Sequence, residues 1–515
     1  MGYLLGLDLG TSSLKALLVD EAGRAVGAGS AEYPILHPQP DYAEQDPGDW
    51  QRAAAAAVHQ ALAVVPCFRK GAGLGDAARY LLAIGVSGQM HGTVLLDASG
   101  QLLAPAVIWP DRRSQRQVQE ISEMIGARRL IDLTGSPIAA GFQAATLRWM
   151  QQQKPALWRH VRRVLPPKDY LRWWLTGELH TDPSDAAGTL LLDARTRDWS
   201  SEILTALQID PHLLPRVKPS LSVAGPLARA AAAQLGLPPC VPVVVGAADT
   251  ASSALAAGIV SPDALLMTIS TGGQLVLPAM EVRVDRKGRI HTFCGALEPA
   301  PNQAGWYQMA ATLCAGMAMR WLRDQVFALS APDAYAQMTA WAESVPLGAR
   351  GLVFLPYLAG ERSPHMDPLA RGVFLGLSAG HGRAELVRAV MEGVTLACYD
   401  AYQVLAESGA HPVRIVLAGG GARSRLWQHM AADVFNLPVQ RLAVAEQSAL
   451  GAALLAGAGT GLFDALAEAA RWTSYDPPVE PDPLHHGEYM ALLQIFRGVY
   501  EKHRDDFARL HDYDH

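Results

Sequence analysis

GYLLGLDLGTSSLKALLVDEAGRAVGAGS, residues 2–30, decides how the rest of the chain is read. Its apolar runs break at Gly10 to Ser13 and again at Glu21 to Gly23, so it reads as strand, tight polar turn, strand, turn, strand. That is a β-meander. Residues 263–279, DALLMTISTGGQLVLPA, repeat the theme of strand, Thr/Gly turn and strand. A second theme also occurs twice. VPVVVGAADTASSALAAG (241–258) is a buried strand, a small-residue turn and a short helix, and RIVLAGGGARSRLWQHMAADVF (414–435) is a strand, a Gly-rich turn and a helix. The long spacing is not that of a solenoid repeat. It predicts one βαβ-rich design built twice, with a cleft between the copies.

Between these landmarks a helix is expected from Pro47, because Asp46 can cap it, proline suits the first helical position and Asp49 favours the positive end. LLAIGVSGQM (81–90) and TVLLDASG (93–100) read as strands, and the middle of the chain as helical, including KDYLRWWLTGE (168–178). Ser261, Pro262 and Asp263 mark the expected domain junction, and the tail from Pro477 to His515 is expected to end in an amphipathic helix on the outside of the second lobe.

Composition agrees with two domains, since 515 residues exceed what one hydrophobic core usually supports and half of them are hydrophobic. The net charge of −6, from 43 basic and 49 acidic residues without blocks, offers no footprint for nucleic acid or an anionic membrane. Small-molecule chemistry is favoured. The cysteines Cys67, Cys240, Cys294, Cys314 and Cys398 show no CxxC spacing and are odd in number, as expected of reduced thiols in a cytosolic protein. Asp8 interrupts the first apolar run, which argues against a signal peptide, and no uninterrupted apolar stretch of about 18 residues is present to span a bilayer.

Asp8-Leu9-Gly10-Thr11-Ser12-Ser13-Leu14-Lys15 sets a carboxylate at a strand end, then a hydroxyl-rich turn, then an ammonium. Such a turn can grip phosphate oxygens, Asp8 can hold Mg²⁺ through water, and Lys15 can neutralise a phosphate. An ordinary hairpin with a solvated lysine is the competing reading, weakened because a carboxylate in an apolar strand needs a partner. Ser270-Thr271-Gly272-Gly273-Gln274 is a second phosphate grip or a plain turn, and Gly419 to Ser424 can take a nucleotide against bare backbone without being a P-loop. Asp249 follows a strand and opens a small-residue helix, so it can accept the proton of a phosphoryl-acceptor hydroxyl, cap the helix, or do both. Ser87-Gly88-Gln89-Met90-His91-Gly92 forms a loop suited to ligand selection, although a lone loop histidine serves structure as readily. Asp111-Arg112-Arg113 reads most simply as a surface turn with a salt bridge.

Taken in order, GLDLGTSSLKALLVD (6–20), SGQMHGTVLLD (87–97), LPPKDYLRWWLTGE (165–178), VVVGAADTASSALAAG (243–258), STGGQ (270–274), LAGGGARSRLWQHMAADVF (417–435) and SALGAALLAG (448–457) resemble the FGGY carbohydrate kinases, and within them the xylulokinases. FLPYLAGERSPHMDPLARGVFLGLSAGHGRAELVRAVMEGV (354–394) adds to the match, which runs from Leu5 to Leu462. The resemblance implies an α/β protein of two RNase H-like domains, of the actin/hexokinase-like ATPase type, with a catalytic cleft between them. Residues 1–258 would form a sugar-binding lobe that carries the first phosphate loop and the catalytic aspartate, and residues 259–515 a nucleotide-binding lobe. The activity implied is ATP-dependent phosphorylation of a ketopentose, D-xylulose to D-xylulose 5-phosphate, with ATP and Mg²⁺.

Carried over residue by residue, Asp249 matches the family's catalytic base and Asp8 its Mg²⁺-associated carboxylate. Thr11, Ser12 and Lys15 match the first phosphate loop, and Thr271, Gly272, Gly420, Gly421, Ala422 and Ser424 the nucleotide side. Met90 and His91, with Asp111 and Asp249, match positions at the ketose. The partners implied are a small sugar and ATP, with no nucleic acid and no membrane, and a homodimer is compatible with it. Two departures bear on the choice of sugar. Xylulokinases usually carry Asp-Asn where this chain has Asp249-Thr250, and Trp-Asn-Asp where it has Trp109-Pro110-Asp111. Those departures keep open a kinase for ribulose, another ketose or a glycerol-like polyol. An ATP-binding switch like actin or the 70-kDa chaperones is the alternative from another class, opposed by the sugar-loop motif and the placement of Asp249.

Overall fold

A computed structural model of the chain describes residues 2–65, 80–443 and 446–513. The opening meander forms as read, with strands β1 (Tyr3–Leu9), β2 (Ser13–Asp20) and β3 (Ala25–Glu32). Helix α1 (Pro47–Ala63) follows, capped by Asp46, whose carboxylate accepts the Gly48 N–H at 2.8 Å. Strand β4 (Leu81–Gly88) returns parallel to β1. Helices α2 (Pro167–Thr176) and α3 (Pro183–Gly188) precede β5 (Val223–Pro226), β6 (Pro242–Val244) and the two-residue β7 (Ala247–Ala248). The sheet order is β5-β6-β4-β1-β2-β3, with β7 beside β4. Helix α4 (Asp249–Ala256) leaves the end of β7.

The second sheet repeats the plan. Strands β8 (Ala264–Ile269), β9 (Gly273–Ala279), β10 (His291–Cys294) and β11 (Trp306–Thr312) pair antiparallel, and β12 (Arg414–Ala418) and β13 (Val439–Arg441) extend the sheet in parallel. Its order is β10-β11-β9-β8-β12-β13. In each sheet the first strand therefore lies between its antiparallel hairpin partner and a parallel strand, which is the RNase H-like arrangement. Helix α5 (Arg383–Glu407) backs this sheet, and α6 (Arg425–Phe435) follows its Gly-rich turn.

Helix α7 (Gln447–Gly459) comes from the second half of the sequence but lies on the first sheet. Glycine makes that approach possible. A Cβ on Gly6 would sit 1.8 Å from the Ala449 carbonyl oxygen, one on Gly85 1.8 Å from that of Ala452, and one on Gly451 2.1 Å from that of Ser252 in α4. A core shared by both halves forms around these helices, drawing Leu4 and Ala83 from the first sheet and Leu266 and Val416 from the second. The tail forms helix α8 (Pro483–His511), which buries Tyr489, Leu493, Phe496, Val499, Tyr500 and Phe507 against the second core, as its amphipathic reading required. Cys240, Cys294, Cys314 and Cys398 are free thiols, and Cys67 lies outside the described residues. Among the described residues no helix is long and apolar enough to cross a membrane.

Candidate active site

One row of paired residues across the first sheet places Asp8 and Asp249 near each other. Asp8 pairs with Lys15 on β2 and with Ser87 on β4, and Ser87 pairs with Ala247 on β7. Asp8 and Asp249 therefore emerge at the same edge, Asp249 two residues beyond that row. Asp8 Oδ1 is buried without a hydrogen-bond partner. Burial, and then the charge of Asp249, push the Asp8 carboxyl up to about 7 against the opposing pull of Lys15.

Asp249 is the first residue of α4, and the cap position belongs to Ala248. This corrects the cap reading. Ala248 is paired with Gly88 and stays extended, so the helix has already begun at Asp249. The Asp249 carboxylate does accept the Thr250 N–H at 2.6 Å, and the Thr250 hydroxyl donates to the same oxygen at 3.2 Å. Burial raises Asp249 to about 6, with the two Thr250 donors opposing the rise.

The turn from Gly10 to Ser13 is braced from three sides. Gln45 Nε2 donates to the Thr11 carbonyl at 2.6 Å, Trp109 Nε1 to Thr11 Oγ1 at 2.9 Å, and the Tyr33 hydroxyl to the Gly10 carbonyl. Ser12 is exposed at the tip. Lys15 is ion-paired as well as solvated, since its side chain is 40% exposed and meets Glu446, just ahead of α7, at 2.7 Å.

On the second sheet the two glycine-bearing turns meet. A Cβ on Gly419, whose φ is +83°, would lie 2.5 Å from the Ile269 carbonyl oxygen, and one on Gly421 would strike the Ile269 side chain at 2.4 Å. Gly420 has nothing within 4 Å of its would-be Cβ, so bare backbone faces the opening there. Thr271 Oγ1 accepts from Arg320 at 3.0 Å, and Gly272 packs on the Thr312 carbonyl. Ala422 is buried, and the Ser424 hydroxyl caps α6 by accepting the Trp427 N–H at 3.3 Å.

Around Met90 and His91 a set of rings converges that sequence reading missed. His91, at φ +74°, stacks on Phe142 at 3.9 Å and lies 5.9 Å from Phe293, while Phe142 also meets His291 at 5.9 Å. The Tyr307 hydroxyl points at Met90 Sδ, 3.8 Å away. His91 Nδ1 lies 2.7 Å from the Gly188 carbonyl, so Nδ1 carries the proton and Nε2 remains an acceptor. Burial, with Arg362 also contributing, lowers His91 to about 4, so the ring is neutral at physiological pH. These residues lie up to 217 positions apart, on a loop, a helix N-terminus and two strands that only the tertiary fold brings together, which left no local signal.

Asp111 is placed differently from its sequence reading. Its oxygens accept from the Ala43 N–H at 2.7 Å and from the backbone and side chain of Arg113, and Arg113 continues to Glu44 at 2.7 Å. The salt bridge is as expected, but Asp111 is buried rather than on the surface, and its acceptors are engaged within the chain. Among the described residues no group of three or more His, Cys, Asp or Glu is arranged to hold a metal. The orphaned oxygen of Asp8 is what this site offers a cation.

Comparison with known proteins bears on this geometry. Residues 3–256 match the N-terminal domain, and residues 280–460 the C-terminal domain, of the FGGY family of carbohydrate kinases. The chain is 36% identical over 505 residues to a xylulose kinase of Lactococcus lactis, covering 97% of each chain. It is 30% identical over 523 residues to a gluconokinase of Bacillus subtilis, covering 99% of this chain and 98% of that one. Among solved structures, a xylulose kinase from Rhodospirillum rubrum superposes with a TM-score of 0.88 at 31% identity, covering 98% of this chain and 100% of that one.

Proposed function

The chain belongs to the FGGY family of carbohydrate kinases, and from that premise we propose that it transfers the γ-phosphoryl group of ATP to the terminal hydroxyl of D-xylulose, with Asp249 as general base. The observation that carries this reading is Asp249 itself, a carboxylate raised to about 6 at the mouth of the first sheet beside the ring-lined loop of Met90 and His91. A general base works best with a pKa near the operating pH.

In this mechanism the sugar's carbon face packs on Met90, and neutral His91 accepts a hydroxyl hydrogen bond at Nε2. The terminal hydroxyl oxygen attacks the γ-phosphorus, its proton passes to Asp249, and the bond to the ADP oxygen breaks. Thr11 and Ser12 on one side, and the backbone at Thr271, Gly272 and Gly420 to Ser424 on the other, bind the phosphates and nucleotide. Lys15 leaves Glu446 to neutralise developing phosphate charge. Asp8, with its unpartnered oxygen, would hold Mg²⁺ through water, and the ion would supply positive charge to the phosphate oxygens. Closure of the two lobes around the substrates excludes water as a competing acceptor.

A second reading, a broader acceptor range, is favoured by Thr250. Its hydroxyl is spent on Asp249, so it offers the sugar less than an asparagine amide would. Sites that hydrogen-bond a hydroxyl reject analogues strongly, so losing such a contact relaxes discrimination. A coupled ADP-release assay over pentuloses, hexuloses, gluconate and polyols tests both. D-Xylulose is expected to give the highest kcat/KM, with measurable turnover of a neighbouring ketose. Phosphorylation of another acceptor with none of D-xylulose would refute the xylulose assignment.

A further inference from the structure

Asp249 stands on an interrupted piece of sheet. The ladder stops at Val244 and resumes for only Ala247 and Ala248, because Gly246 turns through φ +79° and lies directly on Val86. Regular pairing therefore does not hold residues 245–246. A buried polar cage does so instead. Lys168, at the second position of α2, donates to the Val245 carbonyl at 3.5 Å and pairs with Asp182 at 3.0 Å. Asp182 accepts from the hydroxyls of Ser184 and, at 3.0 Å, Ser220. Ser184 Oγ in turn accepts the Ala248 N–H at 2.9 Å, and the Ser220 carbonyl accepts the Gly246 N–H at 3.0 Å. The Val245 carbonyl and the Gly246 and Ala248 N–H groups thus lead back to one ammonium, while the Val245 N–H bonds the Ser222 carbonyl at 2.8 Å.

We infer that Lys168 is a positioning residue, which through Asp182 and Ser184 clamps the kinked strand end and so sets the height and direction of the Asp249 carboxylate in the cleft. This rests on the proposed role of Asp249 as base. Lys168 and Asp182 are both 0% exposed, and removing a paired charge from such a site leaves its partners uncompensated. Two cations, Lys168 and Arg172, face three carboxyls, those of Asp169, Asp182 and Asp185, in the same sealed volume. Burial, and then the neighbouring carboxylates against the pull of Lys168, push the Asp185 carboxyl well above its usual range. A surface lysine would need none of this, and the arrangement is costly unless the geometry it enforces matters.

The test compares Lys168→Met and Ser184→Ala with wild type, reading kcat, both KM values and amide hydrogen exchange across residues 245–250. Ser184→Ala is expected to lower kcat about tenfold and Lys168→Met about a hundredfold, with KM for ATP and sugar within about threefold of wild type. Exchange at the Ala248 amide is expected to quicken while distant segments stay unchanged. Should Lys168→Met fail to fold, Ser184→Ala decides alone. Wild-type kcat in Ser184→Ala, or loss of kcat only together with faster exchange throughout the chain, overturns the inference. The base reading is judged separately by Asp249→Asn, so faster local exchange in Ser184→Ala with an active Asp249→Asn would sink the base and keep the clamp.

Discussion

Burial and hydrogen bonding pull Asp249 in opposite directions. Exclusion from water raises its carboxyl and the two Thr250 donors lower it, leaving about 6. To accept a proton it must be ionised, so kcat/KM should fall as pH drops below about 6, approaching tenfold per pH unit. A pH–rate profile with no acid limb between pH 5 and 7 would speak against this, both bounds being about one unit from the raised value. The linkage to stability has the opposite sign. Because the folded state binds this proton more tightly than the unfolded chain, the group's favourable contribution is complete below its usual value of 3.8 and is lost as pH rises through about 6. Asp249→Asn should therefore raise the apo-protein's Tm at pH 8, about two units above that value, more than at pH 4. At this scale the sequence announced Asp249, Asp8 and the Met90-His91 pair through local motifs. Phe142, His291 and Tyr307 carried no such signal, because contacts between rings on a helix N-terminus and on distant strands are a property of the assembled fold.

The turns and helix ends were legible for a physical reason: their determinants are local. Asp46-Pro47 at α1, the break at Gly10 to Ser13 and the one at Ser270 to Gly272 each rest on φ preferences and caps that act within a few residues. Helix α4 was displaced by one residue because pairing of Ala248 to Gly88, a tertiary contact, decides where the helix starts. Helix α7 shows the limit more plainly. Its Ala- and Gly-rich sequence is apolar on most faces and reads as buried, but nothing in it says that it will cross to the first sheet. The pairing of Lys15 with Glu446 belongs to that crossing. Lys15→Ala should raise KM for ATP or lower kcat without changing the ranking of sugars. A changed sugar ranking with wild-type ATP dependence would place the first turn elsewhere. Gly85→Val tests the crossing itself, since a side chain there would enter the Ala452 carbonyl, and a loss of about 1–3 kcal/mol or more is expected by chemical denaturation. Unchanged stability would mean that α7 can lift off the sheet freely.

The molecule as a whole is one sheet plan used twice, and the repetition explains its division of labour. Each copy ends its first hairpin in a polar or glycine-bearing turn, at Gly10 to Ser13 and at Ser270 to Gly272, and each follows its later parallel strands with a helix. In the proposed mechanism the two copies supply one phosphate-binding turn each, and the first copy alone contributes Asp8 and Asp249. The duplication was legible because strand, turn and helix patterns recur in the same order. How the halves share a core was not, since that core is assembled from single residues of many elements. The proposed phosphoryl transfer turns on the carboxylate that opens α4. Its most direct test is the steady-state kcat of Asp249→Asn with ATP and D-xylulose, alongside its affinity for ATP. A fall of about two to four orders of magnitude with ATP affinity nearly unchanged is predicted, and retention of more than about a tenth of the wild-type kcat would contradict it.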